Sequence, residues 1–174
     1  FYLTDPKAGG VLKFDRYGLH NSTFSLKNPQ GIAITESGDM IVGQGDAVTV
    51  MSASGTVKFK LGKGAGQFKM ANSIALDAAG YIYVVDSLDD CIQVFNSFGA
   101  TVNTGNAASG KPANSFGSSG SGNGQFSMPT GIAFEKASGQ LAVADTLNGR
   151  IQFLDTAGAW KRSIGRFGGG QLGF

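Results

Sequence analysis

The stretch MPTGIAFEKASGQLAVADTLNGRIQFLDTAG, residues 128–158, decides how this chain is read. A Gly-Ile-Ala run opens it and Gly139 interrupts it. A second apolar run ends at Asp145, and a third begins at Arg150 and closes on Asp155 and Gly158. Short apolar or alternating runs bounded by Gly, Asn and Asp read as antiparallel strands joined by tight turns. Asp145, Asn148, Arg150 and Asp155 crowd into the same stretch, so a catalytic reading has to be weighed against a structural one.

Working outward, the pattern recurs. NPQGIAITESGDMIVGQGDAVTVMSASG (28–55) and MANSIALDAAGYIYVVDSLDDCIQVFNSFG (70–99) align with it strand for strand and turn for turn. The equivalent isoleucines are Ile32, Ile74 and Ile132, separated by 42 and 58 residues, so the longer interval holds an insertion. It lies in the Gly/Ser/Asn-rich NTGNAASGKPANSFGSSGSGNG, where no helical period exists and an extended loop over about 103–115 is expected. FYLTDPKAGGVLKFDRYG (1–18) matches 82–99, with Asp5 on Asp86, and FGGGQLGF (167–174) matches the lead-in GSGNGQFSMP.

Each unit is therefore about four short strands, too small to bury its own faces. A period near 42 residues with four strands per unit predicts an all-β chain built as a β-propeller of four-stranded antiparallel blades. The units expected are 1–27 (partial), 28–62, 63–116 with the inserted loop, 117–166, and 167–174 (partial). That makes an incomplete set of three full units and two partial ones.

Asp-x-x-Asn-x-Arg-Ile-Gln-Phe-x-Asp at 145–155, preceded by Gly-x-Gly-Gln-Phe-x-x-Pro-x-Gly-Ile-Ala at 122–133, resembles the NHL repeat. The resemblance covers nearly the whole chain and is closest over 116–168. Unit 28–62 departs most, with Gln44 in place of Asp and no Arg before its third strand, and Cys91 stands where the family usually has Arg. The resemblance implies a propeller, most often of six blades, which needs about 250 residues at this period. The expectation is a piece of a longer chain, or a chain completed by a second copy or a partner.

The polar cluster reads as scaffold. Its equivalents Asp5, Gln44, Asp86 and Asp145 each end the second strand of a unit, and a device that recurs in every blade is structural where a catalytic set occurs once. Each Asp is expected to cap the turn through its own backbone, with Arg150 pairing to Asp145 or to neighbouring carbonyls, and Asp155 belongs to the same signature. No catalytic residue, metal site or cofactor is expected. Some propellers resembling this family are peptide-amidating lyases with histidine-bound zinc, but His20 is the single histidine, so no three-histidine site forms from these residues. No oxygen cage with calcium-loop spacing is present around Asp145, Asn148 or Asp89. GGGQLG (168–173) satisfies the dinucleotide pattern literally but lacks the strand–turn–helix context and recurs as GKGAGQF and GSGNGQF, which makes it a blade connection. Phe68, Phe126 and Leu172 follow these glycines and read as wedges between blades.

Charge excludes little else. Net charge is +2, and the densest basic segment, Lys58, Lys60, Lys63 and Lys69, reads as a solvated strand and turn. Nucleic acid is therefore a disfavoured partner. RNA binding, carried by Lys7, Arg16, Lys69, Arg150 and Arg166 on one face, stays as the alternative. A lyase or hydrolase with its ligands outside this segment is a further one. Cys91 is the single cysteine, so no internal disulfide forms, and no apolar run approaches the ~20 residues of a membrane span. Asn21-Ser22-Thr23 is a glycosylation sequon. The Gly/Asn/Ser/Thr-rich composition suggests an extracytoplasmic, secreted or periplasmic, setting. Gln30, Asn72 and Thr130 each sit two residues before the isoleucine that opens an inner strand, and their side chains vary on a fixed frame. They are the expected binding rim of a non-enzymatic scaffold that takes a protein, a peptide or a glycan, with self-association a further option.

Overall fold

The computed structural model describes residues 1–64 and 66–165. The expected last unit at 167–174, with GGGQLG and Leu172, lies outside the described residues, as does Arg166.

Among the described residues, seventeen strands form four antiparallel sheets in chain order, with one small parallel pair between the third and fourth. The first sheet is β1 (Tyr2–Asp5), β2 (Gly10–Phe14) and β3 (His20–Ser25). The second is β4 (Ile32–Ile34), β5 (Met40–Gly43), β6 (Val48–Met51) and β7 (Val57–Lys60), and the third is β8 (Ala71–Leu76), β9 (Ile82–Asp86), β10 (Cys91–Phe95) and β11 (Ser115–Phe116). The parallel pair is β12 (Ser118–Ser119) with β13 (Gln125–Phe126). The fourth sheet is β14 (Pro129–Glu135), β15 (Gln140–Asp145), β16 (Arg150–Leu154) and β17 (Trp160–Ile164). Every four-stranded sheet is a simple meander, the arrangement of a propeller blade.

In the second and third sheets the two middle strands, β5 and β6, β9 and β10, are buried on both faces, while the last strands of the second and fourth sheets, β7 and β17, are largely exposed. This is why Ile82–Val85 reads as an unbroken apolar run, since the third sheet is sandwiched between the second and the fourth. Three cores fill the gaps between successive sheets. Val11, Met40, Val42 and Met51 join the first sheet to the second. Ile41, Val50, Phe68, Ile74, Val84 and Phe95 join the second to the third. Tyr83, Val85, Phe116, Phe126, Ile132 and Leu154 join the third to the fourth. Phe68 and Phe126 thus sit between blades, as their recurrence predicts.

The insertion interrupts an outer strand. The Val94 carbonyl accepts from the Val102 N–H at 3.2 Å, and the Val94 N–H donates to the Asn114 carbonyl at 2.7 Å. Residues 103–113 therefore leave the sheet and return to the same place, after which Ser115 and Phe116 pair with Gln93 and Ile92. One turn of each later sheet carries a glycine where a side chain has no room. Gly55, Gly99 and Gly158 have φ of 89°, 81° and 89°, and a Cβ on each would strike the ring of Phe24, Phe59 or Phe116 on the preceding sheet.

The cores between sheets predict where stability resides. Phe126 is fully buried and Phe98 is 84% exposed. Phe126→Ala is expected to lower unfolding free energy by about 3–5 kcal/mol, and Phe98→Ala by less than about 0.5 kcal/mol. Urea denaturation of both variants measures the contrast.

Candidate functional site

The expected signature residues other than Asp155 sit at one end of the blades, where each second strand stops. Asp145 is completely buried and accepts from Arg150 Nε at 2.7 Å, Asn148 Nδ2 at 3.0 Å, Gln152 Nε2 at 3.1 Å and the Ser127 N–H at 2.8 Å. Arg150 also donates to the Gly122 and Gln125 carbonyls at 2.7 and 3.1 Å. The structure thus brings Asp145, Asn148 and Arg150 together, and their shared target is the lead-in segment before the inner strand. Asp86 does the same in the third sheet, accepting from the Lys69 and Met70 N–H groups at 3.1 and 2.8 Å and from Gln93 Nε2 at 3.1 Å. Gln44 inverts the polarity: its Nε2 donates to the Lys27 carbonyl at 2.8 Å, and its Oε1 accepts from the Thr49 hydroxyl.

Own-turn capping, expected of every Asp, holds for Asp5 alone among these, which accepts from the Lys7 and Ala8 N–H groups at 2.8 and 3.0 Å. For Asp86 and Asp145 the expectation is corrected. Each following turn is a single turn of 3-10 helix with no side-chain cap from the Asp, and the carboxylate is spent on the lead-in. Asp155 lies at the opposite end, where it closes a strand turn by accepting from the Ala157 and Ala159 N–H groups at 3.1 and 2.8 Å.

Two sets of glutamines complete the network and were not singled out from sequence. Gln67 Nε2 donates to Gln93 Oε1 at 2.7 Å, Gln93 Nε2 donates to the Gln67 backbone carbonyl at 3.1 Å, and Gln152 Nε2 donates to the Gln125 carbonyl at 2.6 Å. Their signal was present: Gln recurs in the Gly-Gln-Phe lead-in and in the third strand.

The third sheet has a second departure. Asp89 stands where the fourth sheet has Asn148, and Cys91 where it has Arg150. Asp86, Asp89 and Cys91 place a ligating atom each within 4.8 Å of one another, all buried. Two cations fill this spot. Lys69 Nζ pairs with Asp89, and Lys111 Nζ, from the insertion, reaches the Asp89 carbonyl at 2.6 Å and its carboxylate at 3.1 Å. Burial opposes a charge on Asp89, but the two ammonium groups outweigh it and hold its carboxyl below the ordinary carboxylate value. Burial pushes Asp86 up. Burial, with the nearby Asp86 and Asp89 charges, pushes the Cys91 thiol up to about 12, which makes it an inert thiol. Both acids already have protein partners, Asp89 the two ammonium groups and Asp86 the lead-in N–H groups with Gln93.

The three rim residues lie at this same end. Asn72 and Thr130 fall in β8 and β14, and Gln30 just precedes β4. All three are half-buried. Asn72 Nδ2 donates to Ser87 Oγ at 3.2 Å, Thr130 and Thr146 share a hydroxyl hydrogen bond at 2.6 Å, and the Gln30 N–H donates to the Gly43 carbonyl at 2.8 Å. Exposed apolar side chains surround the two later positions: Leu88 at 57%, Leu147 at 56% and Met128 at 37%. Met128 and Asp90 both adopt left-handed backbone, φ 48° and 47°, and the Met128 N–H donates to Asp90 Oδ1 at 2.7 Å. Of the basic residues expected on one face, Lys7, Lys69 and Arg150 lie at this end, and Arg166 falls outside the described residues. Arg150 is tied inward, Lys69 is paired with Asp89, and Arg16 stacks on Tyr17 in a turn at the other end.

No family model and no curated protein matches the chain. Solved structures do. It is similar to streptogramin B lyase, with TM-score 0.71 and 14% identity over 94% of this chain and 50% of that one. It is similar to virginiamycin B lyase from Staphylococcus aureus, with TM-score 0.65 and 17% identity over 92% and 50%. A chain of a nidogen/laminin complex gives TM-score 0.70 and 14% identity over 93% and 57%. The likeness establishes the β-propeller fold, and the chain spans about half the length of the lyases it matches.

Arg150→Met leaves Asp145 buried without its cation, and an unfolding free energy lower by about 3–5 kcal/mol is expected by denaturant titration. The acid limb of stability tests Asp89. A carboxyl held below its ordinary value contributes stability above about pH 4 that fades as pH falls through the lowered value. The stability difference between wild type and Asp89→Asn is therefore expected to be largest near neutral pH and to shrink steadily below pH about 4.

Proposed function

We propose that this chain is part of an NHL-type β-propeller acting as a non-enzymatic binding domain. It presents the rim around Gln30, Asn72 and Thr130 to a protein or peptide, and a glycan fits the same polar positions. The observation that carries this is the contrast at one end of the blades. Buried polar groups there are consumed in holding the lead-ins, while the surface above combines half-exposed Asn72 and Thr130 with exposed Leu88, Met128 and Leu147. Apolar side chains exposed beside polar ones suit a protein interface. Left-handed backbone at a non-glycine residue such as Met128 is uncommon and clusters at binding sites. A nidogen/laminin complex among the similar structures adds a precedent for a propeller in a protein assembly. The rest of the ring comes, in this reading, from a longer chain or a multi-chain assembly, and the setting is extracytoplasmic.

A second reading rests on the two lyases among the similar structures. In that reading the catalytic groups lie in blades beyond these residues, since His20 sits on an outer strand, exposed and hydrogen-bonded to Thr23. Metal analysis and a lyase assay on the full-length protein separate the two.

Replacement of Gln30, Asn72 and Thr130 together by Ala, in the full-length protein, is expected to weaken partner binding at least about tenfold, the loss of roughly 1.4 kcal/mol. Thermal stability should change little. Calorimetry against a partner recovered by cross-linking measures it, and unchanged affinity sinks the rim.

A further inference from the structure

At the opposite end of the blades, away from the rim, a groove of about 750 Å³ runs between the second and third sheets. Its floor is apolar, made by Ile41, Val50 and Phe59 on one side and Leu76 and Ile82 on the other. The reason it exists can be read from the repeat. Ile41 lies three residues before Gln44, and Tyr83 lies three residues before Asp86, so the two hold the same position in successive blades. Tyr83 is 2% exposed, fills the gap between the third and fourth sheets, and anchors its phenol on Asp77 Oδ2 at 3.0 Å. Ile41 is shorter and has no such tip, so the corresponding gap between the second and third sheets stays open at its end near the Glu36 and Ala78 turns.

The turns above the groove sharpen its chemistry. Equivalent turns carry Glu36-Ser37 in the second sheet, Ala78-Ala79 in the third and Lys136-Ala137 in the fourth. The alanines leave the middle low, between two charged turns. Asp39 and Lys58 on the wall neutralise each other at 2.7 Å. That leaves two carboxylates without a cation among the described residues, Glu36 and Asp77, against the single Lys136. The mouth is net acidic, and Phe98, 84% exposed, forms an aromatic side wall. A cavity of this size with an apolar floor and a few polar groups at its edge is the form of a small-molecule site.

The geometry points to a binding site for a small amphipathic amine, with its apolar or aromatic body on the Ile41–Phe59–Leu76 floor and its ammonium at the Glu36 side of the mouth. The site is independent of the rim and does not rest on the scaffold reading.

The test uses the full-length protein and dansylcadaverine, a naphthalene sulfonamide with a primary amine, followed by fluorescence titration. Saturable binding is expected, tighter than that of the anionic naphthalene dye 1-anilinonaphthalene-8-sulfonate. Ile41→Tyr copies the plug that the next blade already carries, and it should reduce affinity at least tenfold without lowering the melting temperature. Should that variant fail to fold, Ala78→Phe, at an exposed turn, closes the mouth and should give the same loss. Glu36→Gln should weaken binding about two- to five-fold at low salt and less at high salt. No saturable binding, or full affinity retained in the folded plugged variant, overturns the site. Equal or tighter binding of the anionic dye overturns the amine assignment.

Discussion

The carboxylate or amide that ends the second strand of each four-stranded sheet ties that sheet to the segment leading into it. A propeller blade begins with a segment that has just left the previous blade and lies largely outside the antiparallel ladders, so its backbone N–H and C=O groups need other partners. Asp145 supplies acceptors to Ser127, and Asp86 to Lys69 and Met70, while Gln44 supplies a donor to Lys27. The requirement is for a polar group that reaches the lead-in; its charge is secondary.

That freedom explains three chemically different versions of one device. The fourth sheet uses an Asp–Arg pair with Asn148 alongside, and the neutral Gln44–Thr49 pair serves the second. In the third sheet the arginine is gone, an extra acid stands at Asp89, and cations return from elsewhere as Lys69 and Lys111. Lys111 arrives on the insertion, which leaves and re-enters the outer strand opposite Val94. The insertion is thereby fastened both by backbone pairing and by a partly buried ion pair. A charge left alone among Asp86, Asp89 and Cys91 would be costly, and the loop that appears dispensable by composition removes that cost.

Packing between sheets sets the rest. Each sheet is too small to bury its own faces, so stability comes from clusters shared by neighbours, with aromatic rings such as Phe24, Phe59 and Phe116 lying against glycines of the next blade's turn. Because every gap is lined by equivalent positions, one substitution changes one gap. Tyr83 closes the space between the third and fourth sheets, and Ile41 leaves its counterpart open. Positions that differ on a repeated frame are thus where one gap departs from the next, as Ile41 and Tyr83 do.

The amino-acid sequence alone determined the repeat, its strand order, the position of the insertion and the recurrence of Asp5, Gln44, Asp86 and Asp145, because alternation, turn glycines and spacing are local properties of the chain. Phe68 and Phe126 were legible as wedges for the same reason. What the carboxylates bond to was not, since Ser127 lies eighteen positions before Asp145 and the nearer turn backbone was an equally good candidate. The meeting of Lys111 with Asp89, the burial of Cys91 beneath them and the groove above Ile41 were decided only by the tertiary structure. Each depends on which side chain of one blade faces which gap of the next, and that relation is fixed by packing in three dimensions.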